Sequence, residues 1–420
     1  MLMHAIYTIV LTLGLVLTIP YYLMRFRKYG PTIGERLGGV RWEDGPTIWV
    51  HAVSVGEVKA VEQLIEGLGE MLPGHRLVVS TTTPTGRGLA QERKHIDRIV
   101  YFPLDLPIAV KRSLHRIHPE LVIVAETEIW PNFLRECRRR GIPVVMVNGR
   151  ISDKSYPRYM AGRWWLRSVL DDYRVLGMQS ATDAERIRAI GAPPDKVVVY
   201  GNMKYDLPTT THTLDPHLET ALERTHPLLV AASTAAGEEI LVLEAYRQLR
   251  RSNPNLKLLL APRLPQRFDE VAQALDDGGL GYVRRSGSTP PFEDSSILLL
   301  DSIGELTAAF EHATVVFMGG TLVPRGGHNV LEPARFGKAV VFGPHMENFR
   351  DMALLFLEAR AAIQVEDVRE LVREVQVLLD RPDMASKIGD NGRRLVEANR
   401  GATANALKAI KTLIETESSR

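Results

Sequence analysis

The 420-residue sequence has a single cysteine, and this scarcity excludes several classes of protein. Cys137 alone cannot form a disulfide framework, nor supply a zinc ribbon or a cysteine-held iron–sulfur cluster, so a reducing compartment is favoured. Because 45% of the residues are hydrophobic and 24% are charged, the chain is neither disordered nor a many-pass membrane protein. At about 150 residues per domain, its length predicts two or three domains.

The sequence also lacks clusters with the spacing of metal ligands. Its 12 histidines are dispersed, and His51, His328 and His345 are expected to form hydrogen bonds at strand ends rather than to bind a metal. Cys137 lies in a helical pattern and is expected to be a buried structural thiol. No segment combines a basic stripe with spaced aromatic residues, so nucleic acid is not an expected partner.

The net charge is close to zero, 52 − 50 = +2, but the charges are divided unevenly along the chain. Residues 1–205 contain 28 Lys and Arg against 20 Asp and Glu, a balance of +8, whereas residues 206–420 contain 24 against 30, a balance of −6. This asymmetry predicts that the first half meets an anionic surface or a phosphorylated substrate.

Residues 5–24 carry no charge, and Arg25 and a basic cluster follow them directly. A helix of this length is long enough to cross a bilayer, and the cluster places the following chain on the cytoplasmic side. Residues 1–28 are therefore predicted to be a membrane anchor. Pro20 and the threonines weaken the span, so a helix lying in the membrane interface remains an alternative.

The rest of the chain alternates short Val- and Ile-rich runs with longer helical patterns, which is typical of parallel sheets built from βαβ units. The predicted strands are 48–53, 77–81, 99–102, 121–125, 144–147, 175–178 and 197–200, then 228–232, 257–261, 297–300, 315–318 and 340–342. Three helical segments are expected from about Asp367 onward. We predict an α/β protein of two doubly wound, Rossmann-like domains that face a cleft, at 29–205 and 227–420, with a linker at 206–226.

Carboxylates follow two strands of the first half. Glu57, in HAVSVGE (51–57), comes where the first strand gives way to a helix, and Gly56 leaves space beside it, so Glu57 is a candidate general base. It is equally able to complement the helix dipole alone. Glu126 and Glu128, in ETEIWPN (126–132), follow the fourth strand, and either is a catalytic candidate. Glu126 is expected to point into the cleft or to hold a cationic partner, whereas the alternative for Glu128 is a place in the helix cap. Lys204, in GNMKYD (201–206), is a candidate ligand for a phosphate or carboxylate, or a solvated surface lysine.

The second half has a glycine-rich segment after a predicted strand, GGTLVPRGGHNVLEP (319–333). Its main-chain N–H groups and the start of a helix near Asn329 favour a bound phosphate, and Glu332 is placed to accept from ribose hydroxyls. The segment matches neither the dinucleotide-binding fingerprint nor the Walker A sequence, so dinucleotide oxidoreductases and P-loop kinases lose support.

Seven motifs taken in order closely resemble the bacterial 3-deoxy-D-manno-octulosonic acid (Kdo) transferases. The motifs are HAVSVGE, TTTPTG, ETEIWPN, GNMKYD, APRLPQRF, GGTLVPRGGHNVLEP and FGPHMENF. The resemblance covers nearly the whole chain. It implies the GT-B glycosyltransferase fold, anchorage at the cytoplasmic face of the inner membrane, and metal-independent transfer of Kdo from CMP-Kdo to a lipid A precursor in lipopolysaccharide biosynthesis.

The resemblance also assigns residues, without implying a cofactor. Glu57 would be the general base, and Glu126 and Lys204 would stabilise the transition state. The residues that would surround CMP are Pro262, Arg263, Ile303, Gly304, Glu305, Asn329, Val330, Leu331 and Glu332. Two alternatives remain open at this point: a GT-B transferase or epimerase that uses a UDP-sugar, and a membrane-tethered binding protein without catalysis.

Overall fold

The computed structural model describes residues 2–24, 26–40, 45–91, 93–206, 214–287, 292 and 295–418. The chain divides into two compact units after Asp206 and again after Ala398. The first unit comprises the residues up to Asp206 and those from Asn399 onward, and the second comprises residues 207–398.

The described residues of the first unit contain a seven-stranded parallel sheet. Its strands are β1 (Thr47–His51), β2 (Arg76–Thr81), β3 (Arg98–Tyr101), β4 (Pro119–Ala125), β5 (Val144–Gly149), β6 (Val175–Met178) and β7 (Val197–Val199). They lie in the order β3-β2-β1-β4-β5-β6-β7. The helices that precede, connect or follow these strands are α1 (Leu2–Met24), α2 (Phe26–Arg36), α3 (Val55–Ala60), α4 (Glu62–Met71), α5 (Pro84–Gln91), α6 (Pro107–Ile117), α7 (Pro131–Arg139), α8 (Tyr156–Ala161), α9 (Arg163–Leu170) and α10 (Ala181–Ile190).

The second unit is built in the same way. Its strands are β8 (Leu228–Thr234), β9 (Lys257–Pro262), β10 (Tyr282–Arg284), β11 (Ile297–Leu299), β12 (Val315–Met318), β13 (Ala339–Phe342) and β14 (Ala362–Gln364), in the order β10-β11-β9-β8-β12-β13-β14. Its helices are α11 (Pro216–Glu223), α12 (Glu238–Ser252), α13 (Phe268–Asp277), α14 (Leu306–Ala309), α15 (Leu331–Ala334), α16 (Arg350–Glu358), α17 (Val368–Asp380) and α18 (Pro382–Ala398). All the pairings in both sheets are parallel.

The continuous apolar strands are explained by helices on both faces of each sheet. On β4, Leu121 and Ile123 join one buried cluster, whereas Val122 and Val124 join another. Because successive side chains of a strand point to opposite faces, both faces must be apolar when both are covered. The prediction of two doubly wound parallel α/β domains is confirmed.

Two strands, β10 and β14, were not predicted. Each has three residues and lies at an edge of the second sheet, and only one residue of each strand is buried. Because these strands are short and partly exposed, they contain no run of apolar residues from which a strand could be predicted.

The observed division of the chain differs from the predicted boundaries at two places. Within the predicted linker, residues 207–213 lie outside the described residues, but Pro216–Glu223 forms α11 of the second unit, where Asp215 caps its first N–H groups. The last helix, α19 (Ala402–Ser418), belongs to the first unit, because Ala402, Ala406 and Ile410 are buried in one of its cores.

The N-terminal helix α1 lies against the first unit on one side. The rings of Tyr7 and Trp165 are 5.5 Å apart, and the Asn132 amide donates to the Thr8 hydroxyl at 3.0 Å. The other side exposes apolar residues, among them Val10 and Leu17, which is 80% exposed. Among the described residues, no helix has both the length and the apolarity that a membrane span requires.

Candidate active site

The candidate catalytic residues of the first unit follow strands at the centre of its sheet. The chain order reverses between β1 and β4, and ligands of such sheets bind beside this switch point, at the carboxyl ends of the strands. Glu57 lies in the first turn of α3, which follows β1, and Glu126 comes directly after β4. The sequence pattern therefore placed both carboxylates at the edge where a ligand is expected.

Glu57 is buried and held by two hydrogen bonds. Its carboxylate accepts the Val53 N–H at 2.7 Å and the Ser54 hydroxyl at 3.1 Å. Burial and, to a smaller extent, the nearby charges of Glu126 and Glu128 raise the pKa of Glu57, the two hydrogen bonds oppose them, and the net result is a pKa of about 7. A carboxyl group with a pKa near neutrality is well matched to accepting a proton at physiological pH.

The backbone beside Glu57 is open. A Cβ placed on Gly56 would meet no atom closer than the Ser54 hydroxyl oxygen at 3.8 Å. This agrees with the expectation that Gly56 leaves room for a substrate to approach.

Glu126 and Lys204 form an ion pair. The Lys204 Nζ lies 3.6 Å from the Glu126 Oε1, and both side chains are about one-third exposed. Glu126 has a φ of 57°, a left-handed conformation that is uncommon for a glutamate and that often marks functional sites. Glu128 is the third carboxyl group here, and its pKa is raised to about 7 by burial and by the charge of Glu126.

Asn148 is a residue of this site that sequence reasoning missed. It is fully buried, has a φ of 57°, and its side-chain oxygen accepts the Met203 N–H at 3.0 Å. The Asn202 side chain in turn accepts the Lys204 N–H at 3.0 Å. Asn148 and Asn202 therefore fix the turn that presents Lys204. An asparagine at the carboxyl end of a strand was the available signal.

Asp206, the last residue of GNMKYD, has a different role from Lys204. Its carboxylate accepts the N–H groups of Gly401 and Thr403, each at 2.6 Å, at the start of α19. Residues nearly 200 positions apart in the sequence are thus joined immediately after the candidate catalytic lysine.

In the second unit, the order of strands reverses between β8 and β12. The predicted CMP-binding residues lie at the end of β9 and after β9, β11 and β12. Pro262 is the buried end of β9, and the Arg263 side chain is exposed while its main-chain N–H donates to the Thr234 carbonyl at 3.0 Å. An exposed guanidinium at a strand end is available to an anionic ligand.

The segment after β11 is partly engaged with the protein itself. Ile303 is 81% exposed and Gly304 has a φ of 96°. The Glu305 carboxylate, however, accepts the Arg285 guanidinium at 2.9 Å and is also bonded by the Ser302 hydroxyl. Ile303 is therefore accessible to a ligand, whereas the Glu305 carboxylate is already paired within the protein.

After β12, Asn329 and Glu332 contact each other. The Asn329 amide donates to Glu332 at 3.4 Å, while its oxygen accepts the Leu331 N–H at 3.1 Å. Val330 and Leu331 are fully buried, so of these four residues only Asn329 and Glu332 have partly exposed side chains.

The expected phosphate site on the glycine-rich segment needs correction. The N–H groups of Gly320, Thr321 and Leu322 donate to the carboxylate of Glu238, at 2.6, 2.9 and 2.9 Å. They are therefore not available to a phosphate. The helix expected near Asn329 is only the four-residue α15.

The remaining candidates are structural. His51 is fully buried, stacks on Phe102 with ring centroids 3.8 Å apart, and bonds Ser80 through Nδ1, and burial lowers its pKa to about 3. Burial raises the pKa of the Cys137 thiol, as expected for a buried structural cysteine. Across the described ranges, no three His, Cys, Asp or Glu side chains are grouped as a metal site.

The fold is shared with solved structures of low sequence identity. A crystal structure of a putative UDP-N-acetylglucosamine 2-epimerase from Listeria monocytogenes has a TM-score of 0.57 at 16% identity, covering 89% of this chain and 98% of that one. Acinetobacter baumannii MurG has a TM-score of 0.55 at 15% identity, covering 87% and 99%. At these identities the likeness concerns the fold alone.

Sequence relatives identify the family. A family model described as 3-deoxy-D-manno-octulosonic-acid transferase (kdotransferase) matches residues 31–207. A 3-deoxy-D-manno-octulosonic acid transferase of Haemophilus influenzae is 35% identical over 395 residues, which cover 92% of each chain. Another, of Bordetella pertussis, is 34% identical and covers 87% of this chain and 86% of its own. The chain thus belongs to the 3-deoxy-D-manno-octulosonic acid transferase family and is a glycosyltransferase.

Proposed function

We propose that this enzyme transfers Kdo from CMP-Kdo to a lipid A precursor, lipid IVA, in lipopolysaccharide core biosynthesis, with Glu57 as the general base. The observation that carries the proposal is the buried Glu57 carboxylate, whose pKa is raised to about 7, in the first turn of α3 beside an open glycine. The family supports the transferred sugar. The GT-B class, the donor, the acceptor and the roles of individual residues are parts of the proposal.

The proposed reaction is a direct displacement. Glu57 takes the proton of an acceptor hydroxyl, and the hydroxyl oxygen forms a bond to the anomeric carbon of Kdo. The bond from that carbon to the CMP phosphate oxygen breaks, and its electron pair leaves with CMP. Attack opposite the leaving group inverts the anomeric centre.

Positive charge is needed as the phosphate departs, and the proposal assigns it to Lys204 and Arg263. Glu126 holds the Lys204 ammonium at 3.6 Å and keeps it beside the carboxyl ends of the central strands. Because these cations carry the charge stabilisation, the proposal invokes neither a metal nor another cofactor.

The nucleotide is assigned to the second unit. Arg263 would meet the phosphate, Pro262 and residues Ile303 to Glu305 would line the nucleotide, and Glu332 would accept from a ribose hydroxyl. The exposed Arg263 and Ile303 side chains and the paired Asn329 and Glu332 support this assignment.

The general base is tested by Glu57→Gln. The substitution preserves the side-chain volume but removes proton acceptance, so kcat should fall by about 10²–10⁴-fold. The affinity for CMP, measured by calorimetry, should stay within about twofold of the wild type. Glu62→Gln is the control, since Glu62 lies on the neighbouring helix and pairs with Arg93 at 2.5 Å instead. Near-normal turnover by Glu57→Gln would overturn the role of Glu57.

The donor is tested by titrating the purified enzyme with CMP and with UDP. The proposal expects CMP to bind more tightly, and mass spectrometry should detect a Kdo adduct of the tetra-acylated acceptor when CMP-Kdo is supplied. Tighter binding of UDP would instead support a UDP-sugar enzyme of the same fold.

A membrane location is the final part of the proposal. The exposed apolar side of α1 and the exposed Trp164, beside Arg135 and Arg139, form a surface suited to the interface of an anionic bilayer. We propose that this surface attaches the enzyme to the cytoplasmic face of the inner membrane, where its lipid acceptor is found.

A further inference from the structure

Glu238 is a buried carboxylate that joins two loops beside the switch point of the second unit. It is the first residue of α12 and has no exposed surface. Its Oε1 accepts the N–H groups of Thr321 and Leu322, both at 2.9 Å, and its Oε2 accepts those of Gly320 at 2.6 Å and Ala235 at 3.1 Å. Each carboxylate oxygen therefore accepts two hydrogen bonds, and all four donors are main-chain N–H groups.

The two loops that Glu238 joins are in close contact. A Cβ on Gly319 would lie 2.7 Å from the Thr234 Cα and 2.8 Å from both the Ser233 carbonyl oxygen and the Glu238 Oε2. Only glycine fits there. Ser233, at the end of β8, has a φ of 54°, so this turn too is held in an uncommon conformation.

A chain of contacts leads from Glu238 to the segment assigned to the nucleotide. The Gly320 carbonyl accepts the Gly327 N–H at 2.9 Å, which closes the loop two residues before Asn329. The Thr321 hydroxyl, fully buried, donates to the Met318 carbonyl at 2.6 Å and accepts the Gly343 N–H at 2.8 Å. The residues that Glu238 binds thus fix both ends of the loop that precedes Asn329.

We propose that Glu238 is a positioning residue for the donor nucleotide, acting through the loop of residues 319–327. It occupies the amides that a phosphate would otherwise use, and it sets the path of the chain into Asn329 and Glu332. This inference rests on the proposed function, which places CMP at those residues. Glu238 itself does not touch the donor.

Glu238→Gln is the sharpest test because it preserves shape and removes half of the acceptors. In the glutamine, an amide NH₂ group replaces one of the two carboxylate oxygens. This group is itself a donor, so it cannot accept the two main-chain N–H groups that the oxygen accepted. The KM for CMP-Kdo and the Kd for CMP should each rise tenfold or more, whereas the KM for the lipid acceptor should stay within twofold. A loss of folding alone would not separate the two substrates in this way.

Glu239→Gln is the matched control. Glu239 is the next residue of the same helix turn and is also buried, but its carboxylate accepts Arg267 at 2.6 and 3.0 Å and the Thr234 hydroxyl at 2.9 Å. Both variants should unfold at a lower temperature than the wild type, yet only Glu238→Gln should lose affinity for CMP. Equal losses of affinity in the two variants, or none in Glu238→Gln, would overturn the inference.

A second variant keeps the test decisive if Glu238→Gln does not fold. Gly320→Ala puts a methyl group on a residue with a φ of 69°, 3.1 Å from the His328 ring, so it disturbs the same loop without changing Glu238. The same selective loss of CMP affinity is expected, and unchanged affinity would overturn the inference. If the wild-type protein does not bind CMP, the proposed function fails, and this inference fails with it.

Discussion

Burial, two neighbouring charges and two hydrogen bonds together determine the proton affinity of Glu57. Burial disfavours the charged form, and the carboxylates of Glu126 and Glu128 add repulsion, while the Val53 N–H and the Ser54 hydroxyl stabilise the charged form. The resulting pKa of about 7 means that Glu57 changes its charge near physiological pH. Below that pH it is protonated and cannot act as a base, so kcat/KM should fall as the pH falls through about 7.

Glu128→Gln tests this electrostatic coupling. The substitution removes a negative charge that raises the pKa of Glu57, so the acid limb of the pH–rate profile should move to lower pH by a fraction of a pH unit. At pH 6 the variant should keep a larger fraction of its maximal kcat/KM than the wild type.

The control for this pH profile is Glu185→Gln, which makes the same charge change at an exposed position on α10. It should leave the acid limb in place. An unmoved limb, or one moved to higher pH, in Glu128→Gln would contradict the proposed coupling.

Single residues also mark where sequence reasoning reached its limit. Glu57, Glu126 and Lys204 were found because charged residues at the carboxyl ends of predicted strands are conspicuous. Asn148 and Glu238 were missed because their importance lies in main-chain N–H groups that they accept from distant segments. No spacing in the sequence indicates which amide a buried side chain will meet.

Among the elements, α19 has the least expected position. Periodicity correctly predicts three helical segments near the end of the chain. It does not show, however, which unit each of these helices packs against. The placement of α19 in the first unit depends on three small or apolar side chains and on the two N–H groups that Asp206 accepts.

Strands were easier to predict, because those buried on both faces are continuous apolar runs, whereas the short edge strands β10 and β14 are not.

Asp206→Asn tests the attachment of α19. An amide keeps one acceptor oxygen but loses the charge that favours a helix N-terminus, so the free energy of unfolding should fall by about 1–2 kcal/mol. Hydrogen exchange within Ala402–Ser418 should accelerate. Asp195→Asn, an exposed position in the same unit, is the control and should change neither measurement. Unchanged exchange in Asp206→Asn would contradict the capping role.

At the scale of the whole molecule, the charge asymmetry and the exposed side of α1 belong to the same unit. The basic first half contains the apolar residues Val10 and Leu17 and the basic side chains near Trp164. Each well-placed cation near an anionic bilayer contributes about 1 kcal/mol, and apolar burial adds to it. Binding to vesicles should therefore require both anionic lipid and the exposed side of α1.

Leu17→Glu tests the contribution of α1. Leu17 is 80% exposed, and a glutamate there should weaken partition into phosphatidylglycerol vesicles by about tenfold or more, as measured by co-sedimentation. Ile240→Glu alters an apolar residue of the second unit that is 65% exposed, and it should have little effect. Equal losses in both variants would contradict a specific role for α1.

The return of α19 to the first unit has a consequence for biosynthesis. A ribosome makes residues 1–206 first, but the core that receives Ala406 and Ile410 stays incomplete until the last residues emerge. The second unit, in contrast, is one continuous stretch and is translated entirely before that closure. A nascent chain that stops before Ala402 therefore leaves the unit that contains Glu57 without part of its core.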